Sequence, residues 1–373
     1  MSEYKNETIL AQIGNGFDEL GAVNTPIYLS TAYRHEGIGI SKGFDYVRTG
    51  NPTRSILEKA IARLEGGQEG FACSSGMSAI QLVFSLFSSG DHIVATRDIY
   101  GGTYRFFELL ARQYNVEFSY WDGERLEDLR TLIRPKTKAI FIETPTNPLM
   151  NQVDIGEISK IAKAARALLI VDNTFYTPLL QQPIADGADL VIHSATKYLA
   201  GHNDVLAGLV VSNLLKVTEK LRVYHNSCGM VLDPFSSWLV IRGMKTLALR
   251  MRQHEANAKK IVCYLQDQEL VAKVLYPGHG GMISFELQDA DSVEPFLKAL
   301  KLITFAESLG GVESLITYPA TQTHADIPEE TRLRYGLSNA LLRLSTGVEN
   351  VTDLITDLDQ AFQSLGKGVV LNG

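Results

Sequence analysis

Between about residue 70 and residue 245, short apolar runs alternate with amphipathic segments, and this alternation restricts the fold more than any other feature of the chain. The runs are His92–Ala95, Val116–Tyr120, Ala139–Ile142, Leu168–Val171, Leu190–Ile192 and Leu209–Val211. They are too short for stable helices and carry many β-branched or aromatic residues, so they read as buried strands. Helices fit between them around Met77–Phe87, Thr103–Gln113 and Ile155–Ala165. Strand–helix alternation of this kind predicts a mostly parallel sheet covered on both faces. Ligands of such sheets bind beyond the carboxyl ends of the strands. The residues that directly follow the runs are therefore where chemistry is expected.

The flanks read differently. Residues 1–54 are polar, with Pro26 and Pro52 placed to interrupt a helix, and predict an extended arm that docks on a neighbouring subunit. Its Gly37, Gly39 and Gly43 do not have dinucleotide-loop spacing, and no apolar strand precedes them. From Ser55 a helix runs with Leu57, Ile61 and Leu64 on one face and stops at Gly66-Gly67. Residues 55–245 form the large unit and 246–373 a smaller α+β unit. The smaller unit opens on a charged helix from Leu247 to about Gln268. Strands follow near Met282–Leu287, Ser314–Thr317 and Leu341–Ser345, and Val351–Leu365 is an amphipathic helix expected to pack on its own domain. A length of 373 residues accommodates two or three domains.

Composition narrows the partners. A net charge of −7 without basic runs argues against nucleic acid and anionic membranes. Cys73, Cys228 and Cys263 are odd in number and lack a CxxC pair, which reads as free thiols in a reducing compartment. The first residues carry acids and no long apolar core, unlike a secretory signal. No run approaches the ~20 apolar residues needed to cross a bilayer. The expected location is the cytoplasm. His193 and His202, like the other histidines, lack ligand spacing, so no metal is expected.

Two strand ends carry the chemistry. Leu190-Val191-Ile192 breaks into Ser194, Thr196 and Lys197. A lysine just after a buried strand sits on the floor of a site, where desolvation makes its amine a usable nucleophile and base. The hydroxyls of Ser194 and Thr196, beside free backbone amides, suit an anion such as phosphate. A surface lysine at a strand end is the other reading of this stretch taken alone. Leu168-Leu169-Ile170-Val171 ends in Asp172, 25 residues before Lys197. A carboxylate there needs a cationic partner, because a lone buried charge is costly. A lysine that bonds the cofactor aldehyde and an aspartate on its ring nitrogen are the recurrent kit for pyridoxal phosphate. Ser75, Gly76 and Met77 open a helix whose N-terminus offers amides and a positive dipole end to a phosphate. A plain N-cap is the alternative for Ser75. Arg343 is a cation inside the apolar run Leu341–Leu344 and needs a partner, from a structural salt bridge or from substrate.

VDNTF at 171–175 and SATKY at 194–198 resemble the cofactor motifs of the Cys/Met-metabolism pyridoxal-phosphate enzymes. The resemblance continues through DYVRTGNPTR at 45–54, SSGM at 74–77, YGGTY at 100–104, ETPTNP at 143–148, ESLGGVES at 307–314 and LLRLSTGVE at 341–349. It implies a fold-type I, aspartate aminotransferase-like α/β architecture, assembled as a homotetramer of active dimers. It also implies that Lys197 and Tyr100 act on the substrate, with Tyr100 stacked on the cofactor ring and Asp172 on its nitrogen. Ser75, Gly76, Met77, Ser194 and Thr196 would hold the phosphate, joined by Tyr46 and Arg48 from the neighbouring subunit. Asn147 would lie by the ring oxygen, and Arg343 with Ser308 would bind the substrate α-carboxylate. Glu307 fits the family members that handle cystathionine, where it meets the cysteine ammonium, and Arg105 fits the same pattern. A neutral Thr49 suits an acetyl rather than a succinyl leaving group. The implied activity joins an O-acyl-L-homoserine to cysteine, giving cystathionine, or to sulfide, giving homocysteine. A cystathionine γ- or β-lyase of the same family is the alternative.

Overall fold

Residues 4–16 and 18–366 are described by the structure, a computed structural model. Seven strands make the large sheet: β1 (Glu69–Cys73), β2 (His92–Thr96), β3 (Glu117–Trp121), β4 (Thr137–Glu143), β5 (Leu168–Asp172), β6 (Leu190–Ser194) and β7 (Gly208–Ser212). Their order is β1-β7-β6-β5-β4-β2-β3. The run from β6 to β3 is parallel, as the alternation predicts, while β7 lies antiparallel between β6 and β1. In register, Glu143 of β4 pairs with Asp172 of β5, and Asp172 with Ile192 of β6. The strand ends that bear the chemistry thus emerge at one edge.

The helices are α1 (Asn6–Ala11), α2 (Pro52–Glu65), α3 (Gly76–Phe84), α4 (Gly101–Tyr114), α5 (Leu126–Leu132), α6 (Ile155–Ala165), α7 (Thr177–Leu180), α8 (Leu215–Ser227), α9 (Pro234–Met244), α10 (Leu247–Gln266), α11 (Val293–Ala299), α12 (Glu329–Arg334) and α13 (Val351–Gly366). On one face of the large sheet, α2, α5, α6 and α9 bury Leu57, Leu129, Ile158 and Val240. On the other, α3, α4 and α8 bury Leu82, Phe107 and Leu221. Buried on both faces, the strands read as continuous apolar runs rather than alternating ones.

A second sheet, β8 (Val271–Leu275), β9 (Met282–Leu287), β10 (Thr304–Phe305), β11 (Leu315–Thr317) and β12 (Leu341–Ser345), has the order β10-β11-β12-β9-β8. It is antiparallel except between β10 and β11. The helix α13 buries Leu354, Leu358 and Phe362 against it, in its own unit as expected. The two units share α10. Leu247 and Met251 join the large-sheet core, whereas Ala258, Ile261 and Leu265 join the small one.

The N-terminal segment departs from a wholly extended arm. Asn6–Ala11 is helical, buries Ile9 and Leu10, and packs on α2, α7 and α10 of its own chain. Pro52 does not interrupt a helix but starts one, because its missing N–H costs nothing at the first helical position. Asn51 caps that helix by accepting from the N–H groups of Thr53 and Arg54, so α2 begins three residues before Ser55. Between α1 and α2, the segment exposes Leu20, Val23, Leu29 and Ile38. All three cysteines are free. No described helix is long and apolar enough to cross a membrane.

Candidate active site

One cavity gathers the residues singled out in the sequence. Its lining includes Ser75, Gly76, Met77, Tyr100, Asn147, Asp172, Ser194, Thr196, Lys197, Glu307, Ser308 and Arg343. Counting the solvent in its open mouth, the space between its walls is about 930 Å³. The large sheet supplies the floor and the 307–309 and β12 segments of the second unit supply one wall.

The phosphate end is built by close backbone approach. Ser75 caps α3, its Oγ accepting from Ser78 N–H at 3.0 Å. A side chain at Gly76 would stand 2.9 Å from Ser194 Cβ and Oγ, and one at Gly208 only 2.0 Å from Ser75 O. Both positions therefore require glycine for the helix N-terminus to reach the ends of β6 and β7. Thr196 Oγ1 donates to Ala207 O and accepts from Ala207 N–H, which ties the β6–β7 loop beneath Lys197.

Asp172 Oδ1 accepts from the backbone N–H of Thr174 at 3.0 Å and from its hydroxyl at 2.5 Å. The same Thr174 Oγ1 accepts from Ser194 N–H at 2.9 Å, joining the ends of β5 and β6. Burial nevertheless raises the Asp172 carboxyl above its usual range, with the two Thr174 bonds opposing. Such a carboxyl is suited to a cation brought by a ligand. Lys197 Nζ donates to Ser308 Oγ at 3.1 Å. Burial, helped by the nearby Arg343 charge, brings its amine down to about 8, within reach of the free base at neutral pH. Tyr100 stands at the start of α4 and lines the cavity, its N–H bonded to Glu143 Oε2 at 2.9 Å.

Arg343 lies at the centre of β12 and is 1 % exposed. Its Nη1 donates to Asn147 Oδ1 at 2.7 Å; its Nη2 donates to Ser308 O and to Thr317 Oγ1, both at 3.1 Å. Among the described residues its Nε has no hydrogen-bond partner. These acceptors are neutral, and no described carboxylate pairs with Arg343, so the salt-bridge reading of this residue is not what the fold builds. A buried guanidinium with no paired carboxylate among the described residues, lining the cavity of Lys197, has the chemistry to receive an anion. Ser308, between them, has φ 97, a strained value for a non-glycine residue and the kind that gathers at functional sites.

Three residues do not reach this cavity within the chain. Tyr46 and Arg48 are exposed, Arg48 Nη1 donating to Asn226 O and Oδ1 at 2.7 and 3.0 Å. Arg105 points away on α4 and pairs with Asp326. Other residues were not singled out from sequence. Glu143 lines the cavity beside Asp172, and His324 clamps its rim by donating from Nε2 to Asn147 O at 3.0 Å. An acid closing an apolar strand, the signal that marked Asp172, marks Glu143 equally.

These residues fit pyridoxal phosphate. A glycine-lined helix N-terminus suits the phosphate, a raised carboxyl the ring nitrogen, and a depressed lysine the aldehyde carbon.

Comparison with known proteins agrees. A family model described as Cys/Met metabolism PLP-dependent enzyme matches residues 7–363. The cystathionine gamma-synthase/O-acetylhomoserine (thiol)-lyase of Bacillus subtilis is 60% identical over 365 residues, covering 98% of each chain. The cystathionine beta-lyase of Lactococcus lactis subsp. cremoris is 51% identical, covering 92% of this chain and 94% of its own. The crystal structure of cystathionine gamma synthase from Xanthomonas oryzae pv. oryzae, in complex with aminoacrylate and cysteine, superposes with a TM-score of 0.96 at 38% identity. That match covers 99% of this chain and 100% of the other. With a matching family model, relatives aligned over nearly its full length and a cavity fitted to the cofactor, the chain belongs to the Cys/Met metabolism PLP-dependent enzymes.

Proposed function

We propose that this enzyme catalyses γ-replacement: O-acetyl-L-homoserine and L-cysteine give L-cystathionine and acetate, and sulfide in place of cysteine gives homocysteine. The observation that carries the proposal is the pairing of Arg343, a buried cation with neutral partners, with Lys197 across Ser308, while Glu307 stands exposed at the mouth. A relative of 60% identity whose name joins both activities supports it.

The residues divide the work. Arg343 and Ser308 bind the substrate α-carboxylate, which sets Cα beside Lys197. When bound, pyridoxal phosphate supplies the electron sink that makes the Cα proton removable. The Lys197 amine takes that proton and returns protons along the substrate chain as acetate leaves Cγ and the thiol adds there. Asp172, bonded by Thr174, keeps the ring nitrogen protonated. Glu307 accepts the ammonium of the incoming cysteine. Thr49, neutral, suits the acetyl ester.

Glu307 gives the test. Glu307→Ala should lower kcat/KM for cysteine about tenfold or more, the loss of one charged hydrogen bond. Sulfide has no ammonium, so homocysteine formation should change much less. Steady-state product analysis with both thiols decides it: equal losses mean that Glu307 does not read the thiol substrate. In the same assay O-acetyl-L-homoserine should exceed the O-succinyl ester in kcat/KM.

The active unit is proposed to be a dimer within a cytoplasmic homotetramer, with Tyr46 and Arg48 completing the neighbour's phosphate site. Their exposed position, outside their own cavity, supports this. Arg48→Ala and Lys197→Ala subunits, each inactive, should complement when mixed. Full exchange at equal amounts would restore about a quarter of wild-type activity, since half the dimers are hybrids with one intact site in two. No recovery after demonstrated exchange contradicts shared sites.

A further inference from the structure

Glu143 and Asp172 are register partners on adjacent parallel strands, so their Cα atoms stand ~4.8 Å apart and their side chains leave the same face. Both line the cavity. Glu143 is 6 % exposed, and its Oε2 accepts the N–H of Tyr100, which also lines the cavity. Two more ionisable groups act on it from other elements: Asp98 from the loop after β2 and Arg343 from β12.

We propose that Glu143 is a positioning residue kept as the neutral acid, so that the Glu143–Asp172 pair carries a single negative charge, placed on Asp172.

The argument is one of charge. Two carboxylates this close in a shielded site cannot both ionise cheaply. Asp172 has two donors from Thr174, one of them a hydroxyl at 2.5 Å, whereas the donors to Glu143 are backbone N–H groups, those of Tyr100 and Asn147. Burial, then Asp172, raises the Glu143 carboxyl well above its usual range, with Asp98 adding to it. Arg343 opposes this from β12, but its guanidinium bonds are already directed to Asn147, Ser308 and Thr317. The proton therefore rests on Glu143. One oxygen of the neutral acid still accepts from Tyr100 and fixes where α4 starts, and Asp172 alone answers the ring nitrogen. This extends the proposed placement of Asp172 against the cofactor ring and rests on it.

Infrared spectra of the holoenzyme near pH 8 test the proton directly. The wild type should show the carbonyl stretch of a protonated carboxylic acid, and the wild-type-minus-variant spectrum of Glu143→Gln should contain that band. The subtraction separates Glu143 from Asp98, whose carboxyl burial pushes up to about 7. Glutamine keeps an acceptor for Tyr100 N–H and cannot ionise, so kcat/KM of Glu143→Gln should exceed that of Glu143→Ala at least about tenfold. A wild-type spectrum lacking the band, or a band that survives in Glu143→Gln, overturns the proposal. So does a glutamine variant that holds cofactor yet is no better than alanine. If Glu143→Ala does not fold, the infrared difference alone decides. A band present in the wild type and lost in Glu143→Gln, while Asp172→Asn keeps its cofactor affinity, would reject the placement of Asp172 and leave the protonated acid standing.

Discussion

Lys197→Ala should lose turnover by at least about 10⁴-fold, because one substitution removes both the covalent tether of the cofactor and the base that moves the Cα proton. The holoenzyme should also lose the absorption band of lysine-bound cofactor. The fold is expected to survive. Among the described residues the side chain of Lys197 makes one hydrogen bond, from Nζ to Ser308 Oγ, and its amine, with its pKa already down near 8, gains little from remaining buried. Circular dichroism and thermal unfolding of the variant should therefore resemble the wild type. A folded Lys197→Ala enzyme with turnover within tenfold of wild type would remove the lysine from the mechanism.

Arg343→Met should lower kcat/KM for the amino-acid substrate by about 30- to several thousand-fold, the range expected when one partner of a desolvated charge pair is deleted. Methionine fills much of the same volume, so packing of β12 between β9 and β11 is retained. Asn147 Oδ1 and Thr317 Oγ1 lose their donor, which adds a stability cost of about 1–3 kcal/mol. Two readouts separate binding from folding. Cofactor absorbance should be retained, and the loss should appear at subsaturating substrate. Arg343→Lys should recover only part of it, because an ammonium cannot reproduce the planar fork that meets Asn147, Ser308 and a carboxylate together. A variant that loses cofactor and substrate use in parallel would assign Arg343 to structure.

The parallel part of the large sheet was legible because its strands are buried on both faces and end in turn residues. The helix Ile155–Ala165 and the strands Met282–Leu287 and Leu341–Ser345 fall at the expected residues, since each carries its own pattern and a clear stop. Strand β1 was not read, because Glu69-Gly70-Phe71-Ala72-Cys73 has no periodicity of its own. It becomes a strand through pairing with β7 across 135 to 143 residues of sequence separation, Glu69 with Ser212 at one end and Cys73 with Gly208 at the other. The surface helices α5 and α8 carry too few apolar residues to announce a face. At the site, Lys197, Asp172 and Arg343 stood out as charges in apolar surroundings. Glu143 closes its apolar strand in the same way and was not singled out; that it stands beside Asp172 is a property of the fold. The Arg105–Asp326 pair was equally hidden: it joins residues 221 apart in the chain.

The most direct test of the proposed activity measures, with one wild-type preparation, kcat/KM for cystathionine synthesis from O-acetyl-L-homoserine and L-cysteine against kcat/KM for cystathionine cleavage. A cavity that binds the α-carboxylate at Arg343 and the cysteine ammonium at Glu307 predicts that synthesis exceeds cleavage. Cleavage exceeding both cystathionine and homocysteine synthesis would contradict the account and make the enzyme a lyase.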